Sequence, residues 1–406
     1  MQRRDFLNGL IAACGWGLAA SAKSAPRAEA AAEQEHFRIP AWRQAIQPGR
    51  IAQIGRNRLS DLDPAKNPAI NPVYPNAPEW SGSLGQAGVV LPWCGACWDE
   101  HGGTLWLPLQ GGHGDYAGNE GYRLRLIDDQ PAWVMTRPPS GAIGNILKTQ
   151  DGKELTGNYA DGRPRAVHSF NKPVYVPGIG PVMVVQGNTS WNGSMGTART
   201  LLLDEQTGEW SVKAVHPSPG ATMAGAGCYD PSRHLIWYKS SAEGHPSYLD
   251  LRNWNWVVLT RWAKDPSWSA KRLIFLPEHD LIFQVDGAKP NKFCVWDPER
   301  GSLYTPTAIG TFPKGLVFNG GSGCEWDGTR ILAWHHAGST TSIGTLTPTG
   351  EPRRDPWAWG EIEFSGITPS AAVPNGTYGR FAYSRKLKGC VLQNAVNTRT
   401  YFFAIG

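Results

Sequence analysis

Between Thr104 and Leu126 the chain reads TLWLPLQGGHGDYAGNEGYRLRL. Leu105, Leu107 and Leu109 alternate with Trp106, Pro108 and Gln110, the period-2 pattern of a strand with one buried face. A Gly-Gly pair follows, then His113 and a polar loop holding Asp115, Tyr116, Asn119 and Glu120. A second alternating run sets Tyr122, Leu124 and Leu126 against Arg123, Arg125 and Ile127. Strand, Gly-Gly, decorated loop, strand is one half of a four-stranded blade, and further blades can be read downstream.

The first full blade covers 82–138 as GVVLPWCGACWD, TLWLPLQGG, GYRLRLID and PAWVMT. A patternless stretch, 139–162, reads as a long loop, and long loops in compact domains carry function more often than short ones. Later blades fall at 163–214, 222–260, 268–306, 318–364 and 376–406. In two of them a strand ends on Asp and a Gly turn follows: Leu203-Asp204-Glu205-Gln206-Thr207-Gly208 and Trp296-Asp297-Pro298-Glu299-Arg300-Gly301. The last blade reaches the chain end at Phe402-Phe403 without an outer strand, and the apolar Ile51–Gly55 segment can supply it. The expected fold is all-β: a propeller of about six blades, closed by an N-terminal strand, with seven if 42–80 hides another. Closure of this kind removes free sheet edges.

On these residues the chain resembles kelch-type, galactose-oxidase-like propellers of exported bacterial proteins. More closely, it resembles a subgroup with a GGGHxDYxGNEVY blade, here Gln110-Gly111-Gly112-His113-Gly114-Asp115-Tyr116-Ala117-Gly118-Asn119-Glu120-Gly121-Tyr122. An RHTY segment of that subgroup is matched by Arg165-Ala166-Val167-His168-Ser169-Phe170, and a GxYxRF segment by Gly376-Thr377-Tyr378-Gly379-Arg380-Phe381. Gln110, Gly121 and Val167 depart from the pattern. The resemblance implies a propeller over 82–406. Its namesake uses copper, a cross-linked Tyr-Cys cofactor and two His; no Cys can be placed beside a loop Tyr here, which leaves a copper-radical oxidase as the lesser alternative.

The 406 residues hold 48 Gly, 32 Pro and 19 Trp, a composition of many turns with large apolar anchors between them. A net charge of +5, not collected into basic runs beyond the N-terminus, argues against a nucleic-acid partner. It is compatible with an acidic polymer as substrate.

Residues 1–32 read as a signal peptide. Gln2-Arg3-Arg4-Asp5-Phe6-Leu7 resembles the twin-arginine motif, an apolar segment from Leu10 to Ala20 follows, and small residues then offer a cleavage site. The segment is too short to span a bilayer, so the mature chain is expected without a transmembrane helix, in the periplasm or secreted. Ile11-Ala12-Ala13-Cys14 also fits a lipoprotein box, although the apolar run continues past Cys14. Residues 33–81 would contribute the ring-closing strand.

Apart from Cys14 there are six cysteines, an even number that permits disulfides without fixing their connectivity. Trp93-Cys94-Gly95-Ala96-Cys97-Trp98 looks like a thioredoxin site but reads as a strand entering a turn. There, residues three apart face opposite ways, about 10 Å from one another. Both are expected as packed strand residues.

Loops at one end of a propeller surround its channel, so polar residues from separate blades converge there. His113 is a candidate general base or ligand, with Asp115 or Glu120 orienting it, whereas Asp115 and Asn119 equally suit loop capping. Arg165 could pair with a sugar carboxylate or bond inter-blade carbonyls, and His168 is a candidate lining residue. Tyr116, Asn119, Asn188, Trp191, His245 and His335 are candidate substrate contacts, Trp191 as a stacking platform. His335 and His336 are adjacent, so only one can face the channel. Tyr378 as base and Arg380 as carboxylate neutraliser would suit β-elimination on a uronic acid.

His113, His168, His245 and His335 are also a candidate cluster for zinc or copper. No short spacing such as HxH accompanies them, so the cofactor is left unknown. The expectation is an exported propeller that binds carbohydrate at its channel mouth, with polysaccharide-lyase chemistry as its catalytic form. The alternative is a non-catalytic interaction propeller of the cell envelope.

Overall fold

The computed structural model describes residues 37–141, 157–185, 190–191, 198–217, 224–240, 245–262, 271–285, 287 and 291–406. From Ile39 to Gly406 the chain forms one unit of six antiparallel blades, with almost no helix. Blade 1 runs Cys97–Asp99, Thr104–Leu107, Gly121–Arg125 and Trp133–Arg137 from inside to outside. Blade 2 begins at Val174–Val176, blade 3 at Ala226–Asp230 and blade 4 at Arg272–Leu276. Blade 5 begins at Gly323–Trp326 and blade 6 at Phe381–Ser384. These innermost strands contact one another in sequence around the axis.

The outer strand of blade 6 comes from the N-terminal segment. Arg50–Ile54 lies antiparallel to Thr400–Ala404, with Ile51 opposite Phe403. Trp42 secures this clasp: its Nε1 donates to Leu126 O at 3.0 Å while its ring meets Phe402 edge-on at 5.1 Å. Arg43 Nε donates to Leu387 O at 2.6 Å. Residues 55–96 form turns and short 3₁₀ segments and contain no seventh blade.

Alternation in the sequence becomes packing between blades. Leu105, Leu107, Tyr122 and Leu124 are fully buried, whereas Arg125 on the same ribbon faces water. The tryptophans fill the wedges where blades meet. Trp357 packs on Phe283 and Phe293 between blades 4 and 5, and Trp237 stacks on Trp262 between blades 3 and 4.

The strand-ending Asp residues close the hairpins. Asp297 Oδ1 accepts the amides of Glu299 and Arg300, and Asp204 Oδ1 those of Gln206 and Thr207. The glycine after each turn has a left-handed φ, +63° at Gly301 and +70° at Gly208, which explains why the pair recurs in sequence.

The cysteines beyond Cys14 are all buried, and none is in a disulfide. Cys97 opens an inner strand as expected, but Cys94 lies in the irregular segment before it. Gly111 N–H donates to Cys94 Sγ at 3.3 Å, which gives the thiol a structural role. Among the described residues no helix is long and apolar enough to cross a membrane.

Candidate functional site

In an antiparallel blade, the segment leading into the first strand and the loop between the second and third emerge at the same end. Five such segments bring His113, Asp115, Trp93, His168, Phe170, Tyr378 and His335 to one mouth of the channel.

Four of these residues share a backbone feature. Trp93, His113, Phe170 and Tyr378 have φ of +46°, +44°, +49° and +50°, a region L-residues rarely adopt. Three of them occupy one structural position, just before the inner strands of blades 1, 2 and 6. Main-chain bonds hold them there: Phe170 N–H donates to Trp93 O at 2.7 Å, and Tyr378 N–H to Gly321 O at 2.9 Å. Gly95 permits the approach, because a Cβ there would collide with Phe170 O.

The rings form a chain across the mouth. His113 and His168 lie 4.7 Å apart centre to centre, His168 and Trp93 5.1 Å, and Phe170 and Tyr378 5.8 Å. His168 is buried and its Nε2 lies 2.9 Å from Asp115 Oδ2. Burial, reinforced by His113, pulls the His168 pKa down to about 4 against the opposing pull of Asp115. The ring is therefore neutral at physiological pH and donates to the carboxylate.

Beside this chain lies a cleft of about 180 Å³, lined by Trp93, Asn319, His335, Asn375 and Tyr378 among others. Trp93 is 39% exposed there, while Tyr378 is 2% exposed. His335 Nδ1 bonds Thr377 Oγ1 at 2.9 Å, and burial lowers its pKa to about 4. His336 beside it is buried, and its main chain bridges Leu316.

Asn171 forms the floor of the mouth. Its Nδ2 donates to Lys271 O at 2.6 Å and to Gly320 O at 2.8 Å. One side chain thereby joins the starts of blades 2, 4 and 5 across the axis.

Other candidates lie away from the opening. Arg380 is fully buried, its guanidinium donating to Cys94 O at 2.8 Å, Gln393 O at 2.7 Å and Gly376 O at 2.5 Å. It ties blade 6 to blade 1 rather than awaiting a ligand carboxylate. Arg165, equally buried, donates to Trp191 O at 2.5 Å. Trp191 itself is half-buried, held by its amide to Ala166 O.

Tyr116 donates to Glu120 inside blade 1, and Asn119 bonds Ser140 and Pro164 O, so both build the loop rather than line it. His245 bonds Trp262 O at 3.2 Å between blades 3 and 4. Asn188 lies outside the described residues. The Tyr378 phenol is held well above its ordinary pKa by burial, so at neutral pH it donates hydrogen bonds and is a poor base. Among the described residues no group of three or more His, Cys, Asp or Glu side chains is arranged to hold a metal ion. Trp93, Phe170 and Asn171 belong to the site although none is a candidate in the sequence, where Trp93 only flanks the Cys pair and Phe170 only ends the RHTY-like segment; what places them is their position a few residues ahead of an inner strand.

No family model matches the chain, and no curated protein does. Solved structures do. One is a structural genomics protein of unknown function from Bacteroides thetaiotaomicron VPI-5482, at 11% identity and TM-score 0.47, over 78% of this chain and 70% of that one. Another is an auxiliary nutrient binding protein from Bacteroides ovatus ATCC 8483, at 13% identity and TM-score 0.44, over 77% and 69%. A second auxiliary nutrient binding protein, from Bacteroides thetaiotaomicron VPI-5482, aligns at 10% identity and TM-score 0.45, over 76% and 68%. At such identities the likeness concerns the fold alone.

Proposed function

We propose that the mouth is a carbohydrate-binding site in an exported, kelch-like propeller, with Trp93 as its stacking platform. The observation that carries this is the placement of Trp93: a large ring left 39% exposed, in a left-handed backbone, beside a small polar cleft. An amphipathic ring next to Asn and His side chains suits the flat apolar face and equatorial hydroxyls of a pyranose.

The charge pattern narrows the ligand to a neutral sugar. Arg165 and Arg380, the residues that would have matched a uronate carboxylate, spend their guanidinium groups on main-chain carbonyls. With Tyr378 a donor and Arg380 buried, the reading is binding without β-elimination. His168 and Asp115 serve as a fixed hydrogen-bonding pair at the rim.

Gln2-Arg3-Arg4-Asp5-Phe6-Leu7 supports delivery by the twin-arginine machinery to the periplasm or beyond. Calorimetric titration of wild type and Trp93→Ala against a panel of neutral and uronate oligosaccharides tests the site. Saturable binding of a neutral sugar, weakened at least tenfold in Trp93→Ala, is expected; binding to none of the panel, or equal binding by the variant, overturns it.

A further inference from the structure

The channel has a second cavity at the end opposite the mouth, and its lining follows a rule of the fold. The next-to-last residue of each inner strand is Trp98, Tyr175, Tyr229, Phe275, Glu325 and Tyr383, in blade order. Each is partly exposed although the residues on either side of it in its strand are buried. Five of the six positions are aromatic. Packing between blades does not ask for this, since the buried neighbours already supply the core.

Trp98, Tyr175, Tyr229, Phe275 and Glu325 together line a cavity of about 300 Å³. Pro231, Pro277 and Arg385 on the inner hairpin turns also line it, so it opens on the face those turns form. At its inner end Arg272 reaches Asn171 Oδ1 at 3.4 Å, which separates it from the mouth.

Two features decide what it takes. The polar tips of two of the aromatic residues are occupied: Trp98 Nε1 donates to Glu100 Oε2 at 2.7 Å, and the Tyr229 hydroxyl bonds His234 Nδ1 at 3.0 Å. Toward the cavity these residues present ring surface, beside Pro231 and Pro277. The charged residues of the wall are also paired, Arg272 with Glu325 at 2.5 Å and Arg385 with Glu278 at 3.1 Å. An anion or a cation entering would have to compete with an existing partner, whereas a neutral ring finds the faces of Trp98, Tyr175, Tyr229 and Phe275 between charges that are already paired.

We infer that this cavity is a second ligand site, distinct from the mouth, and that it takes a small uncharged aromatic ring. The volume stands at the lower end of the range for small-molecule pockets, about 300 Å³, which fits one or two fused rings. The assignment does not depend on the sugar reading of the mouth.

Calorimetry and saturation-transfer NMR with indole as the probe, and choline and glycerol as the charged and polyol controls, test it on the mature chain. Saturable indole binding is expected, retained in Trp93→Gly and weakened at least tenfold in Phe275→Ala. Phe275→Leu, which keeps an apolar wall of similar volume but removes the ring, is expected to weaken it as well and guards against misfolding of the alanine variant. Absence of saturable indole binding, equal binding of choline or glycerol, loss in Trp93→Gly, or retention in a folded Phe275→Leu would each overturn the assignment.

Discussion

His168 Nε2 lies 2.9 Å from Asp115 Oδ2, and that bond joins the segment leading into blade 2 to the loop of blade 1. His168 is 3% exposed, so the carboxylate satisfies a donor that water cannot reach freely. Removing the acceptor in Asp115→Ala is expected to cost about 1–3 kcal/mol, the usual penalty for leaving a buried polar group unpaired. Asp115→Asn keeps an oxygen for the imidazole N–H and should recover most of that loss. Urea unfolding of the two variants checks this. Equal destabilisation by both would mean that the bond adds little beyond the loop's own packing.

Asn171 is expected to be the most sensitive polar position in the ring. Its amide donates to carbonyls of residues 100 and 149 positions away in the chain, and both bonds are buried. Asn171→Ala leaves two main-chain carbonyls unpartnered, at a cost of about 2–4 kcal/mol if each bond contributes a typical share. Asn171→Asp should be worse, because it turns a carboxylate toward the same two carbonyl oxygens. Chemical denaturation midpoints give the ranking. A wild-type midpoint for Asn171→Asp would show that the floor of the mouth is not held as described.

How far the sequence anticipates this molecule depends on which kind of signal carries each feature. Ile51 and Phe403 reveal the ring closure because an apolar run without a partner and a blade without an outer strand complete each other. Asp297 and Gly301 reveal the hairpins because each turn needs an acceptor and a left-handed residue. The mouth is less legible. His113 and His168 stand out by residue type and do come together. Trp93 and Phe170 do not stand out, because their positive φ is imposed by bonds to neighbouring blades and leaves no trace in composition. Arg380 misleads for the complementary reason: an arginine in a propeller loop suggests an anion, yet the narrow inner ring leaves main-chain carbonyls that only a long, multiply donating side chain can reach. The aromatic ring at the far end follows from register, and becomes visible only once the ends of all six inner strands are known.

Glu120 gives the fold a pH signature. Its carboxyl is fully buried and its pKa is raised to about 7, chiefly by burial, although Tyr116 and Tyr122 donate to it. Between the unfolded value of 4.5 and about 7 the folded chain holds a proton that the unfolded chain has released. Stability from this group is therefore greatest at low pH and falls as pH rises through that window. The full span corresponds to at most about 3 kcal/mol. His168 and His335 act in the opposite sense. Their pKa values lie near 4, so the folded state resists protonation and loses stability as pH falls below about 6.5. The two effects overlap in the wild type, and Glu120→Gln separates them. The melting temperature of the variant relative to wild type should rise from pH 5 to about pH 7 and level off above it. A difference that stays flat across that range would mean the carboxyl is not held neutral by the blade.

Trp93 should show function and stability pulling apart. Its φ of +46° costs a non-glycine residue about 1–3 kcal/mol, while glycine adopts it freely. The indole is 39% exposed, so its removal gives up only part of the burial a fully enclosed tryptophan has. Trp93→Gly relieves the strain and gives up the contacts with His168 and Phe170. These terms are similar in size, so the variant should be about as stable as wild type. Trp93→Ala keeps the strain while losing the same contacts, and should be the less stable of the two. Neither should retain the sugar affinity proposed for the mouth. Thermal melts and titrations on the same preparations measure both. If the alanine variant were the more stable, the left-handed geometry would not be a source of strain. If the glycine variant bound sugar as wild type does, the ring would not be the platform.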